Sequence, residues 1–170
     1  SELGLRSLSY VWQDPEGKGL PTTISKVRHH IGDSKLIVAC GDVLFDDSLE
    51  KPIEYFLKKH VGAHAVGAFM LDSAGYSPFI TEDHKVTNIL DKDKNRHMPA
   101  VVDIGTYMYT PDVFSRIDSL KPSERGETEI WDLNRSYVND GTYTYSAIDG
   151  WWIDAGGSLD LYEEANEHFS

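Results

Sequence analysis

The sequence predicts an α/β fold in which a mostly parallel, mixed sheet is flanked by helices on both faces. Three observations predict it. Short apolar stretches alternate with helical stretches along most of the chain. Several apolar stretches end abruptly at glycine or aspartate, and a hairpin pattern interrupts the alternation midway. A chain of 170 residues fits one domain, so we expect residues 1–170 to form a single unit.

The strands are predicted from apolar runs and from runs of β-branched and aromatic residues. Residues 36–40 are continuously apolar, which is typical of a central parallel strand covered on both faces. Gly41 and Asp42 end this run. A short strand is also expected at residues 8–12. Further strands are predicted at residues 64–71, 79–82, 86–90, 101–109, 142–148 and 151–153.

The helices are predicted from their start signals. Pro21 and Pro111 suit first helical turns, because the N–H that proline lacks would be unpaired there. Ser48 and Ser158 are candidate N-caps. Asp83-His84 separates two strand-like runs and predicts a hairpin turn. Helices are therefore expected at residues 21–30, 48–60, 111–120, 129–138 and 159–169.

Composition narrows the class of partner. The formal net charge is −12, which argues against general affinity for nucleic acid or for an anionic membrane. No apolar run approaches the roughly 20 residues that span a bilayer. Residues 1–10 do not resemble a signal peptide, and Cys40 is the only cysteine, so an internal disulfide is excluded. We therefore expect a cytoplasmic protein that binds neither nucleic acid nor membranes.

Two aspartates stand directly after apolar strands. Asp42 follows the run at residues 36–40. Asp154 follows the run at residues 151–153 and comes shortly before two glycines. Ligands of open α/β sheets bind beyond the carboxyl ends of strands. Mg²⁺ takes one or two carboxylates and fills its other positions with phosphate oxygens and water. The pair predicts a Mg²⁺ site, although each aspartate alone suits an ordinary solvated turn.

Three polar segments are weaker candidates. Gly17-Lys18-Gly19 does not match a P-loop but could bring glycine backbone close to a base or a phosphate. In Asp91-Lys92, the lysine could neutralise a phosphate while the acid binds sugar hydroxyls. Arg125 and Glu127 combine a phosphate-binding and a hydroxyl-binding side chain. The alternative for all three is a solvated or helix-capping loop.

These segments fall in an order that resembles the glucose-1-phosphate thymidylyltransferases and related sugar-1-phosphate nucleotidyltransferases. Residues 119–134 read S-L-K-P-S-E-R-G-E-T-E-I-W-D-L-N and are similar to the family segment S-L-K-P-S-x-R-G-E-x-E-I-T-D-x-N, with Trp131 where threonine is usual. Residues 38–45 resemble the L-V-L-G-D-N-I-F strand, with Val43 replacing asparagine. Residues 151–156 resemble the W-x-D-[TA]-G turn, and residues 89–93 the I-x-E-K-P segment. Asp91 stands for the glutamate of that segment, Asp93 for its proline, and Ser77 for the glycine of the family's sugar loop.

The resemblance implies a Rossmann-like nucleotidyltransferase fold and a role for each matching residue. Asp42 and Asp154 would bind catalytic Mg²⁺. Lys92 would bind the sugar phosphate, Asp91 would bind sugar hydroxyls, and Gly105 matches the glycine of the following strand. Gln13 and Gly19 would face the nucleobase. Arg125 and Glu127 would line the sugar side of the pocket.

The implied reaction joins a sugar 1-phosphate, expected to be glucose 1-phosphate, to a nucleoside triphosphate, expected to be dTTP, with release of pyrophosphate. The family's segment G-G-x-G-T-R-L-x-P-x-T, which holds the triphosphate, has no counterpart in this sequence. We therefore expect the fold to be truncated at its N-terminus and weak or absent turnover by this chain alone. The alternative is a non-catalytic sugar-phosphate-binding or assembly module. Family analogy suggests a homo-oligomer.

Overall fold

The fold was obtained as a computed structural model, which describes residues 7–13, 19–59 and 61–170. Helices and strands alternate over most of this length. The helices are α1 (Leu20–Lys26), α2 (Arg28–Ile31), α3 (Glu50–Leu57), α4 (Val113–Ser119), α5 (Ile130–Asn139) and α6 (Leu159–His168). The strands are β1 (Leu36–Ala39), β2 (Val43–Phe45), β3 (Ala63–Met70), β4 (Phe79–Glu82), β5 (Lys85–Ile89), β6 (Ala100–Tyr109), β7 (Tyr143–Ile148) and β8 (Trp152–Asp154).

Six of the strands form one mixed sheet in the order β1-β6-β3-β7-β5-β4, and β2 and β8 form a separate two-stranded sheet. One apolar cluster packs α1, α4 and α5 against the sheet. A second cluster packs α3 and the β2-β8 pair against alternate residues of the central strands. Consecutive side chains of a strand point to opposite faces, so β6 supplies both clusters. The predicted α/β fold with a mixed, helix-flanked sheet is confirmed, but the sheet is not mostly parallel, since only β3-β7 is parallel among its described strand pairs.

The expectation that residues 36–40 form a central parallel strand covered on both faces is wrong. β1 pairs only with β6 among the described strands, and the pairing is antiparallel. The pair β3-β7 is parallel, whereas β3-β6, β4-β5 and β5-β7 are antiparallel. Ile37 is 47% exposed, so β1 is not covered on both faces by the described residues. Strand direction depends on distant connections, which a local apolar run does not encode.

The strand expected at residues 8–12 does not form. Residues 7–13 have no helical or strand structure, and Tyr10 and Trp12 are 91% and 87% exposed. Their apolar side chains find no cover among the described residues, and burial is what would favour a strand there. The loop residues Gly17 and Lys18, and His60 at the expected end of α3, lie outside the described residues.

Of the helix-start signals, Pro21 and Ser158 are confirmed, whereas those at Ser48 and Pro111 are misplaced, because α3 begins at Glu50 after Leu49 and α4 begins at Val113 after Asp112. Ser158 caps α6, since its Oγ accepts a hydrogen bond from the Leu161 N–H at 3.2 Å. Asp83 and His84 form the β4-β5 turn with φ angles of 45° and 64°, as a tight hairpin turn requires. No described helix is long and apolar enough to cross a membrane.

Candidate active site

A cleft of about 220 Å³ opens beside β6, the β2-β8 pair and the start of α5. Polar side chains from several distant parts of the chain meet there. Its lining residues are Leu20, Cys40, Asp42, Val43, Tyr76, Ser77, Ile89, Lys92, Asp103, Ile104, Gly105, Tyr107, Ile130, Trp131, Trp152 and Asp154. Four of the residues singled out from sequence are in this set: Asp42, Lys92, Gly105 and Asp154.

The small β2-β8 sheet brings the two strand-end aspartates together. Asp154 is directly opposite Val43 in the antiparallel register, which makes it a neighbour of Asp42. The Ala155 N–H also donates a hydrogen bond to the Asp42 carbonyl at 2.8 Å. Two acids that are 112 positions apart in the chain are therefore fixed on one wall of the cleft.

Gly156 lets the Asp42 side chain lie close to the turn that follows β8. A Cβ atom at Gly156 would lie 2.5 Å from Asp42 Oδ2, well inside van der Waals contact. Any larger residue would push the carboxylate away from its present position. The glycine after Asp154 thus positions the acid that comes from the other strand.

The wall formed by these acids is electronegative. Burial, and after it the nearby carboxylates of Asp42, Asp103 and Asp154, raise the pKa of the Cys40 thiol. None of the three carboxylates forms an ion pair with a cationic side chain of the part of the chain that the structure describes. No cluster of three or more histidine, cysteine or acidic side chains suited to a metal ion occurs within the described ranges.

Lys92 supplies a positive charge to the same cleft. It follows β5 in the chain, is exposed, and has no carboxylate within 4 Å among residues 7–13, 19–59 and 61–170. Its neighbour Asp91 does not line the cleft. The Asp91 carboxylate instead accepts a hydrogen bond from Arg135 at 2.5 Å. The structure therefore separates the two halves of the Asp91-Lys92 motif, because an arginine on α5 binds the acid.

Asp103 lines the cleft and was not identified from sequence. The register of β3 against β6 shifts between Val66 and Gly67, which leaves Ile104 and Gly105 of β6 without partners on β3. Such bulges re-aim side chains and are common beside active sites. Gly105 has a φ of 78°, which favours glycine. Asp103 could have been identified from sequence as an acid within an otherwise apolar, β-branched strand. Because burying a carboxylate costs free energy, an acid at such a position calls for an explanation.

Aromatic residues form part of the apolar wall of the cleft. Trp152 of β8 contacts Tyr76 edge-to-face, with 5.7 Å between ring centroids. Trp131 at the start of α5 also lines the cleft. Both tryptophans are partly buried there.

Arg125 and Glu127 do not line the cleft, contrary to the expectation for the sugar side of the pocket. Arg125 Nη2 donates a hydrogen bond to Glu129 Oε1 at 2.8 Å and lies 4.0 Å from the Glu127 carboxylate. Its guanidinium lies 5.7 Å from the Trp131 ring centroid. The Arg125 side chain is largely exposed and is held by its ion pair with the buried Glu129.

Gln13 and Gly19 also lie outside the cleft lining. Gln13 is exposed in the segment of residues 7–13. Gly19 precedes α1 with a φ of 93°, and a Cβ there would lie 1.9 Å from the Thr128 carbonyl oxygen. Close packing against that backbone therefore accounts for the glycine. The next residue, Leu20, does line the cleft.

Comparisons with known proteins identify the family of this chain. The family model for nucleotidyl transferases matches residues 6–169. The chain is 31% identical to the glucose-1-phosphate thymidylyltransferase of Xanthomonas campestris, over 89% of this chain and 52% of that protein. It is 28% identical to the bifunctional protein GlmU of Methanococcus maripaludis, over 95% of this chain and 38% of that protein.

A solved structure from Bacillus anthracis, assigned as a glucose-1-phosphate thymidylyltransferase and containing sucrose, has the same fold. It superimposes with a TM-score of 0.85 and 32% sequence identity, over 98% of this chain and 66% of that one. The chain thus spans about two fifths to two thirds of the length of these relatives. By its sequence match and its fold, this chain belongs to the nucleotidyl transferase family, in its sugar-1-phosphate nucleotidyltransferase group.

Proposed function

We propose that this chain forms the sugar-phosphate and metal-binding part of an enzyme that joins glucose 1-phosphate to dTTP and releases pyrophosphate. The proposal rests on one observation: Asp42, Asp154 and Lys92 meet in a single cleft. Two acids and one base in a cleft with aromatic walls suit a ligand that contains phosphate, a sugar and a divalent ion. The choice of glucose and thymidine follows the relatives at 31% and 32% identity.

The residues present fit a Mg²⁺ ion. Asp42 and Asp154 supply hard oxygen ligands, and the absence of a side chain at Gly156 leaves room for Asp42 Oδ2. Neither acid is neutralised by a described lysine, arginine or histidine. Two carboxylates are as many as Mg²⁺ commonly takes from a protein, with phosphate and water in the other positions. When bound, Mg²⁺ would offset negative charge on the phosphates.

The reaction needs no covalent intermediate with the protein. An oxygen of the sugar phosphate forms a bond to the α-phosphorus of the triphosphate, and the bond from that phosphorus to the bridging oxygen breaks as pyrophosphate leaves. Lys92 binds the sugar phosphate and offsets its charge as it attacks. Tyr76, Trp131 and Trp152 line the cleft and offer apolar surface that would exclude water around a bound sugar. Catalysis by positioning and charge neutralisation is typical of phosphoryl-group transfer.

Turnover by the 170-residue chain is expected to be weak or absent. Its sequence contains no glycine-rich segment of the kind that binds the triphosphate in the family. A pyrophosphate-release assay with glucose 1-phosphate, dTTP and Mg²⁺ measures this. Robust turnover by the chain alone would show that the glycine-rich segment is dispensable.

A second candidate is a non-catalytic module that keeps the sugar-phosphate site. Asp42, Asp154 and Lys92 in one cleft suit binding of a sugar phosphate whether or not a reaction follows. Calorimetry with glucose 1-phosphate, with and without Mg²⁺, distinguishes a sugar-phosphate site from a mere assembly surface. Binding without turnover supports the module or a catalytic part, and no binding under either condition contradicts both.

Replacing Lys92 by alanine is expected to weaken glucose 1-phosphate binding by about 10-fold, since a hydrogen bond to a charged group contributes about 1.5 kcal/mol or more. Calorimetry at low ionic strength measures the change. Lys94→Ala is the matched control, because Lys94 is exposed and does not line the cleft. Equal losses in the two variants would mean that general charge, not Lys92, attracts the phosphate.

A further inference from the structure

Lys92 lies in a segment of the chain that has no regular secondary structure. β5 ends at Ile89, and residues 90–93 form neither helix nor strand. The Lys92 side chain is exposed, so neither a strand ladder nor burial fixes where its charge lies. Its position in the cleft therefore depends on the contacts that neighbouring residues make.

Arg135 of α5 makes such contacts on the residues just before the lysine. Its Nη2 donates hydrogen bonds to the Ile89 carbonyl at 3.0 Å and to Asp91 Oδ1 at 2.5 Å. Ile89 is the last residue of β5, and Asp91 directly precedes Lys92. The guanidinium is itself supported, since Nη1 lies 3.7 Å from the carboxylate of Asp132, one helical turn earlier. The backbone that leads to the lysine is thus held by one side chain of the helix.

These contacts link two parts of the cleft lining. α5 begins with Ile130 and Trp131, both of which line the cleft. Lys92 lines the same cleft from the segment after β5. Because Arg135 belongs to α5 and holds that segment, one guanidinium sets the position of the lysine relative to the helix that carries Trp131.

Other hydrogen bonds shape the segment but do not link it to α5. Arg96 Nη1 donates to the Asp91 carbonyl at 2.5 Å, and the Leu90 N–H donates to the Pro78 carbonyl at 2.9 Å. None of these groups belongs to α5. They should preserve the course of the segment when Arg135 is replaced, so that a variant loses the link to the helix and keeps the fold.

We propose that Arg135 is a positioning residue that holds Lys92 where its charge meets the phosphate of a bound sugar phosphate. The inference rests on the proposed function, because it takes Lys92 to bind that phosphate. Arg135 does not line the cleft and acts only through the segment that it holds. A guanidinium suits this role, because its planar fork presents several donors in a fixed geometry. Asp91 then serves as an acceptor for Arg135.

Calorimetry at low ionic strength with glucose 1-phosphate and with inorganic phosphate tests the role. Arg135→Ala is expected to weaken binding of both ligands by about 3- to 10-fold, within the range of coupling energies between residues of one network. Both ligands should be affected alike, because the misplaced lysine meets the group that they share.

Arg28→Ala is the matched control. Arg28 Nη2 likewise donates to a carbonyl and a carboxylate, those of Phe114 at 2.9 Å and Asp118 at 2.6 Å. None of these residues lines the cleft. This variant should lower the thermal unfolding midpoint about as much as Arg135→Ala does, and it should leave both affinities as in the wild type.

A double-mutant cycle separates positioning from a direct effect of charge. In the Lys92→Ala background, Arg135→Ala should cause little further loss, because the group that it positions is gone. A direct attraction between the guanidinium and the phosphate would persist in that background. Arg135→Lys keeps the positive charge without the planar fork, so phosphate should still bind it more weakly than the wild type.

The outcomes separate this inference from the proposed function. If Lys92→Ala weakens glucose 1-phosphate binding but Arg135→Ala does not, or if the two losses simply add, the role of Arg135 is wrong while the proposed function stands. Wild-type phosphate affinity in Arg135→Lys would also overturn the role, since charge alone would then suffice. If the wild type binds no glucose 1-phosphate, both fail.

Discussion

Replacing Asp42 or Asp154 by asparagine is expected to lower the affinity for Mg²⁺ by more than about 100-fold. Outer-sphere partners of metal ligands already contribute about 10- to 100-fold to affinity, and a ligand should contribute more. Asparagine keeps the shape of the side chain and removes the negative charge. The measurement is calorimetric titration of Mg²⁺ in the presence of saturating dTDP-glucose, the product of the proposed reaction.

Folding should be unaffected by either change. Asp42 and Asp154 lie close together without a described cationic partner, so their charges repel in the metal-free protein. Thermal unfolding in EDTA should therefore give an equal or slightly higher midpoint for both variants. Asp149→Asn removes the same charge from an exposed position outside the cleft and is the control. Wild-type Mg²⁺ affinity in both cleft variants would refute the assignment of the metal ligands.

Acid is expected to destabilise the fold by titrating His64. This residue is fully buried on β3. Its Nδ1 and Nε2 lie 2.8 Å from Thr144 Oγ1 and 3.0 Å from Ser146 Oγ, respectively. Burial, with a smaller contribution from the positive charge of Lys59, lowers the pKa of its imidazole from 6.5 to about 4. The neighbouring ring of Tyr55, 5.2 Å away between centroids, offers no compensating negative charge.

The direction follows from which state binds the proton. Between pH 6.5 and pH 4 the unfolded chain protonates this histidine while the folded chain does not, so the free energy of unfolding falls as the pH falls. The stabilisation is complete above pH 6.5. The loss by pH 4 is about 3 kcal/mol, from 1.36 kcal/mol for each unit of pKa difference.

Urea unfolding at a series of pH values measures this effect. His64→Gln keeps hydrogen-bonding capacity at the position without a group that titrates, so the dependence between pH 4 and pH 6.5 should become much shallower. His30→Gln replaces an exposed histidine and should leave the dependence as in the wild type. An unchanged slope in His64→Gln would show that other groups cause the acid sensitivity.

The positions of the two strand-end aspartates, Asp42 and Asp154, could be predicted from the sequence because their signal is local. Each directly follows an apolar strand, and fixed ends of strands position side chains reliably. Prediction from sequence failed where the outcome depends on a distant partner. The direction of β1 is set by its pairing with β6, and the orientation of Asp91 is set by Arg135, 44 positions away. Neither partner is visible in the local pattern.

The roles assigned to Arg125 and Gly19 show a related limit. A motif indicates which residues recur in a family, but it does not indicate whether they contact the ligand or support the wall behind it. Arg125 is bound by Glu129 outside the cleft lining, and Gly19 packs against the Thr128 backbone. Asp103 shows the opposite case, since its position becomes informative only once the bulge in β6 and the cleft are known.

Crystallographic location of Mn²⁺ in the presence of dTDP-glucose tests the central claim most directly. Anomalous scattering identifies the metal independently of the ligand. We expect one anomalous peak within metal-ligand distance, about 2.0–2.1 Å for the Mg²⁺ that Mn²⁺ replaces, of carboxylate oxygens of both Asp42 and Asp154, with the sugar nucleotide in the cleft. A metal bound elsewhere, or a sugar nucleotide bound in the cleft with its metal touching neither acid, would contradict it.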